Sequence, residues 1–164
     1  MASDIDIITT QRLYLRGIDE EDAVWIVKWR SDPEVYRFFK SPHRITLEEH
    51  LQWFNNNYKH NSSRYDWMCI EKDSGTRAGV FGLVRESECA EINYILAPEA
   101  QHKGYATEAI GALIKYAFTK WEVKRIVAEV HRENIPSVVL AKKLGFTLAL
   151  SDEDFDIYAL ERTE

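Results

Sequence analysis

The sequence predicts an α+β fold, a mixed and mostly antiparallel sheet packed by helices. Three observations predict it. Between Trp67 and Leu96 three strand-like runs follow one another across short turns, as in a meander. From Ala106 onward helical and strand patterns alternate, as crossover connections do. Before Trp67, helical segments with cap signals follow one opening strand. The 164 residues, 45% of them hydrophobic, suffice for a real core. No linker or internal repeat interrupts them, so one domain over 1–164 is expected.

In chain order, Leu13-Tyr14-Leu15 marks a first strand near 9–16. Asp19 is suited to cap a helix running to about Arg30, with Glu20, Glu21 and Asp22 favourable in its first turn. Ser31-Asp32-Pro33-Glu34 breaks that helix, and Asp32 can cap one short turn through Phe39. Thr46 and Glu49 have capping-box spacing. Leu47, Leu51, Phe54 and Tyr58 then supply an apolar stripe. Trp67 to Ile70 reads as strand, 72–76 as a hairpin turn with Gly75 free for positive φ, and Gly79 to Arg85 as the return strand.

Glu86-Ser87-Glu88 turns the chain into a further strand, in which Ile92, Tyr94 and Leu96 alternate with Glu91, Asn93 and Ile95. Pro98 stops it. Ile110, Leu113, Ala117 and Trp121 give the next stretch a helical period from Ala106. Arg125 to Val130 is another strand. Asn134 can cap a helix that tolerates Pro136 in its first turn, and Gly145 stands where a helix C′ residue belongs. Phe146 to Leu150 and Phe155 to Leu160 read as two final strands.

The net charge of −6 argues against general nucleic-acid binding. Cys69 and Cys89 belong to no metal-binding spacing and read as buried, reduced thiols; no metal is expected. No apolar run approaches the ~20 residues of a membrane span. Met1 to Asp4 lacks the charged and apolar regions of a signal peptide, so a reducing, cytoplasmic setting is expected.

The stretch from Pro98 to Glu108 carries the functional signal. A strand ends, Gly104 lets the backbone approach a neighbour closely, and a helix begins at once. Free N–H groups at such a helix start form an anion site, most naturally for a phosphate; an ordinary strand–helix connection would look much the same. Gln101, Gly104 and Ala106 resemble the Gln/Arg-x-x-Gly-x-Gly/Ala pyrophosphate loop of the GNAT superfamily of N-acetyltransferases. The likeness extends over most of the chain. Thr10-Gln11-Arg12-Leu13-Tyr14-Leu15-Arg16 resembles the opening of the branch that acetylates ribosomal-protein alanine or serine termini. Asn134, Ser137 and the run Lys143-Leu144-Gly145-Phe146 resemble the family's late helix. Trp29-Arg30-Ser31-Asp32-Pro33, with His50 and Trp53 downstream, is more loosely similar to acetyltransferases of nucleotide-linked amino sugars.

The resemblance implies a sheet of about six to seven strands with a V-shaped opening between two parallel central strands. It implies acetyl transfer from acetyl-CoA to a primary amine by direct attack in a ternary complex. The donor-binding residues it implies are Ile95, Leu96, Ala97, Gln101, His102, Lys103, Gly104, Tyr105, Ala106, Thr107, Asn134 and Ser137. A backbone N–H near Leu96 would hold the oxyanion of the tetrahedral intermediate. The attacking amine must lose a proton, and Glu91 is the candidate base, with His50 and His131 behind it. Ala141 stands where many relatives carry a Tyr that protonates the leaving thiolate, so Ser137 becomes the candidate acid.

Trp29, Arg30 and Trp53 are acceptor candidates, and all three residue types equally suit buried or salt-bridged positions. The acceptor expected from the likenesses is a protein N-terminus or an amino sugar. A polyamine or aminoglycoside is an alternative that suits the acidic balance. A non-catalytic acyl-CoA sensor is a further one, and a homodimer is compatible with the likeness.

Overall fold

The computed structural model describes residues 5–163, so the reading of Met1 to Asp4 lies outside it. The opening run is two strands rather than one, β1 (Ile8–Thr9) and β2 (Leu13–Gly17). Thr10 makes the break: its N–H donates to the Leu13 carbonyl (2.9 Å) and its hydroxyl accepts the Leu13 N–H (3.1 Å). This closes a turn at Gln11 and Arg12. Asp19 caps a 3-10 turn, Glu20–Asp22, that leads into α1 (Ala23–Arg30). Asp32 caps α2 (Pro33–Tyr36) through the Glu34 N–H. Thr46 and Glu49 form the expected capping box on α3 (Leu47–Asn56).

The buried face of α3 is rotated from the expected stripe. His50 and Phe54 point inward and Leu47 is exposed. Phe54 and Tyr58, in the 3-10 turn that follows, stack on each other (5.5 Å), and the aromatic side chains take the inner positions.

The meander is β3 (Arg64–Glu71), β4 (Arg77–Glu86) and β5 (Cys89–Leu96), joined by turns at Gly75 (φ 73°) and Ser87 (φ 58°). After a 3-10 turn at Pro98–Ala100 come α4 (Tyr105–Thr119), β6 (Arg125–His131) and α5 (Ile135–Lys143). Gly145 ends α5 at φ 94°, with its N–H on the Lys142 carbonyl and the Phe146 N–H on Ala141; that is a Schellman close. Phe146 is therefore part of the cap and is buried, and β7 (Thr147–Ser151) starts one residue later than expected. β8 is Phe155–Glu161.

Among the described residues the eight strands lie in one sheet, β1-β2-β3-β4-β5-β6-β8-β7. The pairs are antiparallel except β5 with β6. The sequence suggested fewer strands and did not foresee β8 slipping between β6 and β7. Trp67, Phe81 and Tyr94 sit on successive strands in one row, because Trp67 pairs with Phe81 and Phe81 with Tyr94. Tyr116 of α4 packs edge-on against Trp67 (5.4 Å), so α4 covers this face. Asp66, Gly82 and Asn93 form the adjoining row, whose side chains face the opposite way. There Tyr58 accepts the Asp66 N–H, and Arg64 lies over Trp53 (5.0 Å), so α3 covers that second face. Leu13, Leu15, Trp67, Phe81, Leu83, Leu113 and Ile126 are fully buried between the layers. Among the described residues no helix is long and apolar enough to cross a membrane.

Candidate active site

β5 and β6 pair on only three rungs, the last being Glu91 with Val127. Beyond it each strand follows its other neighbour. β5 stays with β4 as far as Leu96, and β6 stays with β8 as far as His131. The two diverge, and a cleft of about 1090 Å³ opens between them. The Ala97 N–H donates to the Ala78 carbonyl (2.8 Å), which sets the alternation of the β4–β5 ladder. Counting back by twos, the N–H groups of Ile95 and Asn93 face β4. Those of Leu96 and Tyr94 face the opening, where β6 no longer supplies a partner.

At the wide end of the cleft lies the loop before α4. His102 (φ 64°) and Gly104 (φ 79°) both adopt left-handed backbone, a conformation from which anion nests are built. Gly104 is also the N-cap, and no side chain occupies its capping position. The N–H groups at the start of α4 therefore remain available, with the positive end of the helix behind them. Gln101, His102, Gly104, Tyr105, Ala106 and Thr107 all line the cleft. This cradle fits a diphosphate.

One face of the opening carries hydroxyls. Tyr94 stacks flat on Phe81 (5.5 Å, 6°), and its hydroxyl meets the Ser137 hydroxyl of α5 at 2.7 Å. Burial pushes the Tyr94 phenol up, opposed by its bond to Ser137. Asn134, at the start of α5, makes no side-chain cap, contrary to expectation. Its backbone (φ −81°, ψ 76°) holds the residue on the cleft wall instead.

The opposite face carries carboxylates. Glu91 and Val127 are opposed and share a face, so Glu129, two residues on, shares it too. Burial, then the charges of Glu129 and Glu86, push the Glu91 carboxyl above the usual range, against the pull of Lys40 and Arg64. Lys40 pairs with Glu129 (2.9 Å). His131 is held between Phe38 (5.5 Å) and Phe155 (5.1 Å), and its Nδ1 accepts the Glu133 N–H.

Residues 12–147 match the family model of the acetyltransferase (GNAT) domain. The chain belongs to the GNAT acetyltransferase family. The uncharacterized N-acetyltransferase YnaD of Bacillus subtilis is 32% identical over 139 residues, covering 84% of this chain and 81% of that protein. The spermidine N(1)-acetyltransferase of Escherichia coli K12 is 29% identical over 138 residues, covering 82% and 72%. Among solved structures, the spermidine N-acetyltransferase of Vibrio cholerae in complex with CoA and spermine superposes with a TM-score of 0.84 at 22% identity, covering 93% and 96%. The fold is thus the GNAT fold, and the protein is an N-acetyltransferase of a family that uses acetyl-CoA.

Against this GNAT frame the expected residues divide. Ile95, Leu96, Gln101, His102, Gly104, Tyr105, Ala106, Thr107, Asn134 and Ser137 line the cleft. Ala97 and Lys103 do not. Ala97 is fully buried with its N–H given to Ala78, and the Lys103 carbonyl is taken by Arg12 (2.8 Å). Glu91, the expected base, is not in the lining either: it is half-buried on the last shared rung, just before the first lining residue of β5, Ile92.

Trp29, Arg30 and Trp53 lie outside the lining. Trp29 is 1% exposed in the core. Arg30 sits over Phe39 (5.5 Å), a cleft residue, and Trp53 packs on His50 and Tyr58. His50 is buried away from the cleft, and burial and Arg30 lower its pKa. Tyr94 and Glu129 were not singled out from the sequence as groups that could act. Their spacing from Ser137 and Glu91 carries no local signal, because strand pairing alone brings them together.

Proposed function

We propose that the protein transfers the acetyl group of acetyl-CoA to a primary amine of a small polycationic acceptor, with both substrates bound together. The observation that carries this reading is the divergence of β5 from β6 beyond Glu91, with the Leu96 and Tyr94 N–H groups pointing into the gap, hydroxyls on one face and carboxylates on the other. The loop from Gln101 to Thr107 would hold the donor's diphosphate, and Asn134 its pantetheine arm. The Leu96 or Tyr94 N–H would receive the oxyanion. Glu91 takes the proton the ammonium must lose before attack. Ser137, backed by Tyr94, hands a proton to the departing sulfur, and the second proton shed by the attacking nitrogen as the intermediate collapses replaces it.

The acceptor class follows from charge. Asp32, Glu34, Glu129 and Glu133 line the cleft against the cations Arg37 and Lys143, and although Arg37 pairs with Glu34 (3.4 Å) and Lys40 with Glu129 (2.9 Å), the lining stays acidic on balance. Aromatic faces at Phe38, Phe39 and His131 stand among them, suited to the methylene stretches and ammonium groups of a polyamine. The 29% identical Escherichia coli relative is named for spermidine, which favours the same class. A protein N-terminus or a nucleotide-linked amino sugar, the acceptors expected from sequence likeness, brings one ammonium or adds negative charge, and so gains less from an acidic lining in which Asp32 and Glu133 have no ion pair among the described residues.

Free-thiol release from acetyl-CoA, measured across an acceptor panel, tests this. Spermidine or a similar polyamine is expected to give the highest kcat/KM, falling as ionic strength rises. A peptide N-terminus or an amino-sugar nucleotide giving the highest value would overturn the assignment.

A further inference from the structure

We infer that Arg12 is the positioning residue of the donor loop, turning the 103–104 peptide so that the Gly104 N–H faces the anion cradle. The inference rests on the donor reading given above. Arg12 lies in the turn between β1 and β2, far from the loop in sequence. Glu108, in the first turn of α4, draws it there. The Glu108 carboxylate accepts the Arg12 Nε–H (2.7 Å), the Arg12 backbone N–H (2.8 Å) and the Thr10 hydroxyl. Burial alone would raise the Glu108 carboxyl, but these bonds outweigh it and hold it below the usual range.

With Nε fixed, the planar fork leaves its other nitrogens little choice of direction. One donates to the Lys103 carbonyl (2.8 Å). The peptide unit is planar and trans, so its C=O and N–H point opposite ways. A Lys103 carbonyl turned toward Arg12 sends the Gly104 N–H to the other side of the loop. The second terminal nitrogen stands 3.3 Å from where a Gly104 Cβ would sit. The guanidinium also covers the Tyr105 ring (4.7 Å), and the Tyr105 hydroxyl is bonded to Glu71. The loop is thus braced from behind at 103 and 105 by one side chain. A lysine has the charge but not the fork, so it cannot hold Glu108 and the Lys103 carbonyl in one plane.

The test compares two donors, acetyl-CoA and acetyl-pantetheine, which lacks the diphosphate. Arg12→Lys and Arg12→Ala are expected to raise the KM for acetyl-CoA about tenfold while kcat changes by about twofold or less. Their kcat/KM for acetyl-pantetheine should equal that of wild type, so the preference for the phosphorylated donor narrows. Equal loss with both donors would mean a general structural role and overturn the inference, as would no loss with acetyl-CoA. Should both variants fail to fold, Glu108→Gln frees the same guanidinium and is expected to shift the donor preference the same way; an unchanged preference would count against Arg12. A wild type that does not prefer acetyl-CoA to acetyl-pantetheine would instead sink the donor-loop reading itself, and the role of Arg12 with it.

Discussion

Tyr94 and Ser137 sit forty-three positions apart, and their 2.7 Å contact is the site's most specific side-chain pairing. By the sequence likeness Ala141 stands where many relatives carry a tyrosine, and on that reading the proton for the leaving sulfur would need another source. Tyr94→Phe is expected to lower kcat with acetyl-CoA at least about tenfold. With an aryl thioacetate, whose thiolate leaves without a proton, the same variant should match wild type. Equal losses on both donors would reduce Tyr94 to a packing group on Phe81. Glu91 gives a second expectation. Its carboxyl is raised, and a base works only when ionised, so kcat/KM should climb with pH through a limb above the ordinary Glu value of about 4.3. Glu91→Gln should abolish that limb and cost about 100-fold in kcat. An unchanged profile would hand the role to a water chain.

At the scale of elements, the caps were the most legible features. Asp32, the Thr46–Glu49 box and Gly145 act where local chemistry predicts, because each needs only neighbours two to five residues away. The α3 stripe was not legible. Leu47 and Leu51 satisfy the same period as His50 and Phe54, and only the facing sheet decides which side turns in.

Asp22 shows how α1 is anchored to that sheet. Its fully buried carboxylate accepts from Arg16 twice (2.8 and 2.9 Å), from Arg77 (3.0 Å) and from the Asp19 N–H (3.0 Å). Burial raises its pKa, but these partners outweigh burial and hold it below the usual range. A depressed folded value means stability that is full above the unfolded pKa of about 3.9 and lost as pH falls through the folded one. Asp22→Asn should therefore cost about 3 kcal/mol at pH 7 in urea unfolding, the two proteins converging below about pH 4. A constant difference across that range would show that shape, not charge, is what Asp22 contributes.

For the whole molecule, the sequence carried the fold class and the loop that lines the cleft ahead of α4, since Gln101, Gly104 and Ala106 lie within six consecutive residues. It did not carry what depends on strand order. Arg12 reaches Glu108 across ninety-six positions, and Glu129 comes to share a face with Glu91 only because β6 lies beside β5. The acceptor residues expected from sequence, Trp29, Arg30 and Trp53, fall outside the lining for a related reason. Aromatic helices can shape a pocket or fill a core, and the sheet they pack on makes the choice.

That same order has a consequence for synthesis. β6 forms one wall of the cleft, yet it holds β5 on three rungs and β8 on seven. Its main support is thus a strand that leaves the ribosome well after the wall itself. A nascent chain stalled before Phe155 carries the whole donor loop and the meander but lacks the partner that keeps β6 in place. Until residues 155–161 pair with it, β6 has one open edge, the side that β8 takes, and the cleft wall is held only by its three rungs with β5.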